Sequence, residues 1–212
     1  MPRDLAYWNR YSGLPVKLAE KVHSHQDFRR LVLATLAPRP GDRVLDLGCG
    51  TGLHLPVLRE AVGADGHVLA FDYSPRMVAK AAHRARAWDN VEVRQADATT
   101  VELEPESYDA VLASFSISAT QDVPAVVDTV HRALRPGGRL LALDVRLTSR
   151  GIGRVLGLVY RVVARWTGVD VLDTVRARFG SAEVVTGEGV PIVDLPASAP
   201  VVMITATKRP AT

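Results

Sequence analysis

The stretch Arg43-Val-Leu-Asp-Leu-Gly-Cys-Gly-Thr-Gly52 decides how the rest of this chain is read. Val44, Leu45 and Leu47 form a short apolar run, the pattern of a strand buried on both faces. Gly48, Gly50 and Gly52 follow at alternate positions, where the missing Cβ lets the backbone turn tightly and approach a ligand. Leu53, Leu55, Val57, Leu58 and Val62 then continue with the spacing of a helix. Strand, glycine turn and helix N-terminus together make a cradle with free backbone N–H groups. The spacing is not that of the dinucleotide fingerprint, because an acidic residue, Asp46, stands two places before the first glycine.

Strand and helix signals alternate downstream. His67–Asp72 reads as a second strand, and Ser74-Pro75 opens a helix to about Trp88 with Ser74 as N-cap. Val91–Asp97 and Tyr108–Ser114 read as strands three and four. Pro124–Leu134 reads as a helix stopped by Pro136-Gly137-Gly138, and Arg139–Val145 as strand five. Repeated β-α units imply a parallel sheet with helices on both faces. Upstream, Ser24 or Asp27 is placed to cap a helix over Phe28–Leu36, which ends before Pro38-Arg-Pro-Gly41. Two helices, about 151–166 and 169–178, precede Ala182–Thr186 and Pro200–Lys208, which read as an antiparallel strand pair closing the sheet.

With 212 residues and 47% hydrophobic content, one folded domain over 1–212 is expected. It divides into a helical cap (1–40), a cofactor-binding core (41–146) and substrate-side elements (147–212). A single cysteine excludes an internal disulfide framework and a cysteine-based zinc site. The N-terminus lacks the apolar core of a signal peptide, and no apolar run is long enough to span a bilayer, so the default expectation is cytoplasmic. The net charge of +3 is unevenly placed: Arg132 to Arg178 holds ten arginines and three aspartates.

Four motifs then coincide in order: Asp46-Leu-Gly-Cys-Gly-Thr-Gly52, Phe71-Asp72-Tyr-Ser-Pro-Arg-Met77, Gln95-Ala-Asp97-Ala98 and Leu134-Arg-Pro-Gly-Gly-Arg139. In these the chain resembles the class I S-adenosylmethionine-dependent methyltransferases, strongly over residues 40–146 and loosely on both flanks. The resemblance implies an α/β fold, a Rossmann-like seven-stranded and mostly parallel sheet with helices on both faces. It implies S-adenosylmethionine as cofactor, with S-adenosylhomocysteine as product. Asp72 is then the acceptor for the ribose hydroxyls, as the acidic residue is in dinucleotide folds. Asp97 accepts from the adenine amino group, and the Ala98 N–H donates to the same ring. Asp46 helps hold the ammonium, and Gly48, Cys49, Gly50, Thr51 and Gly52 form the loop along the cofactor. Tyr73 and Met77 pack around the adenosine. Ser114 and Phe115 lie near the sulfonium.

Methyl transfer needs an acceptor atom aligned with the S–CH3 bond, and a phenol or carbon acceptor needs a base. His54, Tyr11 and Asp144 are the candidates, each with a blander reading: loop packing, stacking on cofactor, or pairing with arginine. The histidines at 23, 25, 83 and 131 fit exposed helical faces and make no clustered metal site. Gly52-Leu-His-Leu-Pro56 resembles the Gly-Leu-Asn-Leu-Pro of some bacterial phospholipid N-methyltransferases. Quinone C-methyltransferases share the core but carry Phe-Gly-(Ile/Leu)-Arg-Asn after strand four, where this chain has Phe115-Ser-Ile-Ser-Ala119. The expected substrate is a small lipophilic metabolite. Enzymes of this scaffold that cyclise or rearrange natural products without net methyl transfer form the alternative.

In the segment 150–166, Arg150, Arg154, Arg161 and Arg165 fall on one helical arc, opposite Ile152, Val155, Leu156, Val159, Val162, Val163 and Trp166. This is either an amphipathic helix docked on the domain or an interfacial element that meets anionic lipid or forms an apolar substrate lid. The arginine stripe is the only feature favouring nucleic acid, and the Asn/Asp-Pro-Pro-aromatic tetrad of base N-methyltransferases is absent where Ser114-Phe-Ser-Ile stands.

Overall fold

The structure is a computed structural model, described for residues 26–145, 168–185 and 201–210. Tyr11, the rest of the N-terminal cap before residue 26, and the arginine-striped segment 150–166 lie outside the described residues. So do the Ser24 and Asp27 side chains that were expected to cap the first helix.

Twelve elements are described: α1 (Gln26–Leu36), β1 (Arg43–Leu47), α2 (Leu55–Val62), β2 (His67–Asp72), α3 (Pro75–Ala85), β3 (Val91–Gln95), β4 (Tyr108–Ser114), α4 (Val123–Ala133), β5 (Leu134–Val145), α5 (Val171–Phe179), β6 (Glu183–Val184) and β7 (Val201–Thr207). The strands form one seven-stranded sheet in the order β3-β2-β1-β4-β5-β7-β6. β1 to β5 run parallel, and β7 is antiparallel to both β5 and β6. This is the expected fold class.

Period-two alternation divides the central strands between two cores. Leu45, Leu47, Val111 and Ala113 face α4 and α5 on one side of the sheet. Val44, Ala110 and Leu112 face α1, α2 and α3 on the other. Phe28, Val32 and Leu36 follow one another at four-residue steps and put a single apolar stripe of α1 into the second core. Arg139 satisfies the end of that helix. Its guanidinium donates to Leu36 O and Ala37 O, both at 3.0 Å, and to Asp42 Oδ2 at 3.1 Å.

Local signals placed the other helices well. Ser74 accepts from Met77 N at 3.4 Å, with Pro75 in the first turn. Asp122 caps α4 and Asp170 caps α5 in the same way. One expectation needs correction. Pro136-Gly137-Gly138 is not a turn preceding strand five, because β5 already starts at Leu134, which pairs with Tyr108. The register then jumps, with Ala110 opposite Arg139, so the Pro-Gly-Gly segment bulges within the strand. Backbone bonds to the end of the neighbouring strand hold the bulge: Gly137 N to Lys208 O at 2.8 Å and Lys208 N to Gly138 O at 2.9 Å.

The strand order reverses between β1 and β4. In open parallel sheets the ligand crevice lies at that reversal, beyond the C-terminal strand ends. Asp46 and the glycine loop lie at the end of β1, and Ser114 to Ser118 follow the end of β4.

Candidate functional site

The glycine loop leaves β1 against the tip of β2, where Cys49 N donates to Phe71 O at 3.0 Å. It closes with Gly52 N to Cys49 O at 2.9 Å before α2 begins. Asp72 organises it. One carboxylate oxygen accepts from Gly50 N at 2.9 Å and the other from Ser74 N at 2.8 Å. Burial pushes the Asp72 carboxyl above its usual range, and these two N–H groups partly oppose that shift. Each oxygen keeps a second lone pair for a further donor.

Asp46 is the unusual group. It is 1% exposed, and neither carboxylate oxygen has a hydrogen-bond partner among the described residues. Burial, reinforced by the Asp72 charge, raises its pKa to about 7. A buried carboxylate left unsatisfied is expensive, and such groups concentrate where a ligand completes them. An arriving ammonium group would supply the missing donors.

Gly48 and Gly50 both have positive φ, +67° and +56°. They differ in what surrounds them. A Cβ on Gly48 would lie 2.4 Å from Ser116 Cβ, whereas one on Gly50 would meet no described residue within 4 Å. Cys49 is buried between them. Its thiol is held protonated by burial and by the nearby Asp46 and Asp72 charges, which fits a space-filling residue better than a nucleophile. Thr51 is buried, and its carbonyl accepts from Arg84 Nε at 3.2 Å.

Asp97 follows β3. Its Oδ1 accepts from Thr99 N at 2.9 Å and from Thr99 Oγ1 at 2.6 Å, which orients the carboxylate. Ala98 is buried in the α4-side core. Met77 is buried, and Tyr73 is half-buried with its carbonyl accepting from Gln95 Nε2 at 3.1 Å. The structure therefore brings the β1, β2, β3 and β4 tips, each with its expected residues, to one edge of the sheet.

Comparisons with known proteins bear on the fold and the family. Residues 44–138 match a family profile described as a methyltransferase domain. The chain is 31% identical over 145 residues to the 2-phytyl-1,4-naphtoquinone methyltransferase of Synechococcus elongatus, a match covering 67% of this chain and 61% of that protein. In its domain profile, its relatives and its sheet order the chain resembles the class I S-adenosylmethionine-dependent methyltransferases. It spans about half to three fifths of the length of the curated quinone methyltransferases it matches.

Solved methyltransferase structures share the fold. Phosphoethanolamine N-methyltransferase 2 of Haemonchus contortus, bound to S-adenosyl-L-methionine, superposes with a TM-score of 0.75 at 17% identity, covering 97% of this chain and 60% of that one. The cyclase SpnF superposes with a TM-score of 0.67 at 18% identity, covering 96% of both chains.

The candidate bases differ in their surroundings. His54 stands just before α2 and is 4% exposed, with its ring tilted against Phe28 at 6.3 Å between centroids. Asp144 is 0% exposed at the end of β5. One of its oxygens accepts from Ser118 N at 2.9 Å and the other from Ser118 Oγ. That carboxylate is engaged in holding the loop after β4.

Two residues of the same loop, Ser116 and Ser118, were not singled out from the sequence. The run Ser114-Phe-Ser-Ile-Ser118 was the available signal, but nothing local says which serine faces which neighbour. Phe115 between them adopts φ +53°, a conformation that its residue type does not announce.

Proposed function

We propose that this chain transfers the methyl group of S-adenosylmethionine to a small lipophilic acceptor. The buried, unpartnered carboxylate of Asp46, beside the Asp72-anchored glycine loop, is the observation that carries the cofactor reading. Bound there, the cofactor supplies an electrophilic methyl on a sulfonium centre. The chain's own residues bind and orient it. Asp72 accepts from the ribose hydroxyls with the lone pairs that Gly50 and Ser74 leave free. Asp97, held by Thr99, accepts from the adenine amino group, and Ala98 N–H donates to that ring. Asp46 takes the ammonium. Gly50 keeps the backbone close to the ligand, and Tyr73 and Met77 pack against the adenosine. Ser114 and Phe115, at the tip of β4, border the acceptor side.

The lipophilic acceptor is supported by the name of the Synechococcus relative and by that of a demethylmenaquinone methyltransferase of Staphylococcus epidermidis. Product analysis with a prenylated naphthoquinol tests it: S-adenosylhomocysteine should accumulate one-for-one with methylated product. Conversion of the acceptor without S-adenosylhomocysteine would overturn methyl transfer in favour of cyclisation or rearrangement. No conversion would overturn the quinone-like acceptor.

Asp72→Ala tests the cofactor site without an acceptor. It removes charge-assisted bonds to two hydroxyls and the anchor of the glycine loop. Each such bond contributes about 1.5 kcal/mol or more, so affinity for S-adenosylhomocysteine should fall about a hundredfold by calorimetry. A loss under about threefold would sink the assignment.

The arginine stripe of 150–166 supports peripheral contact with an anionic membrane. Each arginine near such a surface contributes about 1 kcal/mol. Co-sedimentation should therefore rise steeply with the anionic lipid fraction, and equal binding to neutral vesicles would refute the contact.

A further inference from the structure

Ser116 is 9% exposed, and its hydroxyl has no hydrogen-bond partner among the described residues. It packs directly on Gly48, whose added Cβ would lie 2.4 Å from Ser116 Cβ and 3.2 Å from Ser116 Oγ. Asp46, also unpartnered among the described residues, lies two residues before Gly48. One polar side chain from β1 and one from the loop after β4 thus bracket the same glycine, each lacking a partner. A buried hydroxyl of this kind calls for a ligand. Asp46 is an acceptor for a cation, while the Ser116 O–H can donate to an anion. A ligand end carrying an ammonium beside a carboxylate satisfies both.

The loop is built to hold Ser116 there. Phe115 N donates to Leu143 O at 2.7 Å, which ties the loop's start to β5. Phe115 then turns through φ +53°, delivering the next residue onto Gly48. Ser118 closes the loop through its N–H and hydroxyl, both donated to the Asp144 carboxylate. Asp144 is buried at the end of β5, so the loop is fastened to the sheet at both ends.

We infer that the Ser116 hydroxyl is a ligand for the α-carboxylate of the cofactor's amino-acid end, with Ser118 and Asp144 as its positioning residues. The inference rests on the S-adenosylmethionine reading and deepens it. The amino-acid end is read by two walls of the crevice, and the second wall is part of the loop that borders the acceptor side.

Calorimetry with three probes tests this on the full chain. S-adenosylhomocysteine carries both groups, decarboxylated S-adenosylmethionine keeps only the ammonium, and 5′-methylthioadenosine has neither. Ser116→Ala should weaken S-adenosylhomocysteine about five- to tenfold, the loss of one hydrogen bond to a charged group, and leave the other two probes unchanged. Ser116→Gly should do the same, which guards against a packing effect of the alanine. Ser118→Ala should give a two- to threefold loss for S-adenosylhomocysteine alone, and Ser118→Thr should restore it. An unchanged affinity in Ser116→Ala would overturn the inference, as would a parallel loss for methylthioadenosine. An equal loss for the decarboxylated probe would place the hydroxyl on the ammonium and overturn the carboxylate assignment. If the unaltered chain binds none of the three probes, the cofactor reading itself falls.

Discussion

Asp46→Asn should make the protein more stable at pH 8 and no more stable at pH 5, while abolishing tight binding of S-adenosylhomocysteine. The Asp46 carboxyl has a pKa of about 7 in the folded chain against 3.8 for an ordinary aspartate. Between those values the folded state binds the proton and the unfolded state does not. Stability therefore falls as pH rises through this window, and above pH 7 the buried charge costs about 4 kcal/mol. The asparagine carries no charge at any pH but leaves a buried amide unpaired, which costs about 1–3 kcal/mol. The net gain at pH 8 should be about 1–3 kcal/mol in a denaturant titration. At pH 5 the wild-type group is already neutral, so the gain should vanish or reverse.

Binding should move the other way. An ammonium favours the ionised carboxylate, so wild-type affinity for S-adenosylhomocysteine should weaken as pH drops below 7, approaching tenfold per unit. That pH dependence should disappear in the asparagine variant. Loss of stability at pH 8, or an unchanged pH profile for binding, would show that Asp46 is not held at a cost in the ligand-free protein. The trade is a familiar one: a site residue stays unsatisfied until its ligand arrives, and removing it stabilises the empty scaffold.

What the sequence disclosed follows from the range of each signal. β1, β2 and β4 read correctly because alternation and the glycine turn are properties of a few adjacent residues. Ser74 was legible as an N-cap for the same reason, and Asp72 because it ends a strand just before that cap. The start of β5 was hidden, because Leu134 becomes strand by pairing with Tyr108, a contact distant in sequence. The Ser118–Asp144 clasp joins residues 26 apart, and no local pattern announces it. Asp46 stood out as an acidic residue by its spacing. Its raised pKa could not be read, since that depends on total burial and on the neighbouring Asp72 charge.

The glycine loop offers a sharper test, because two of its glycines should fail in opposite ways. Gly48→Ala should destabilise the fold by about 3 kcal/mol. Placing alanine at φ +67° costs about 1 kcal/mol. The rest comes from the added methyl, which would sit 2.4 Å from Ser116 Cβ. Ser116 cannot withdraw freely, since Phe115 is tied to Leu143 and Ser118 to Asp144. Forcing such a contact typically adds 1–3 kcal/mol of strain, about 2 kcal/mol here. Gly50→Ala has a similar backbone penalty at φ +56°, but its methyl meets no atom of the described residues within 4 Å. Its stability should fall by only about 1 kcal/mol. The methyl would instead occupy the space through which the cofactor must approach Asp72's partner amide, so affinity for S-adenosylhomocysteine should drop at least thirtyfold, about 2 kcal/mol. Thermal melts and calorimetry on the two variants separate the effects. Equal destabilisation of both would mean that the loop merely shapes the fold. A stable Gly50→Ala protein that still binds as tightly as wild type would place the cofactor elsewhere than over this loop.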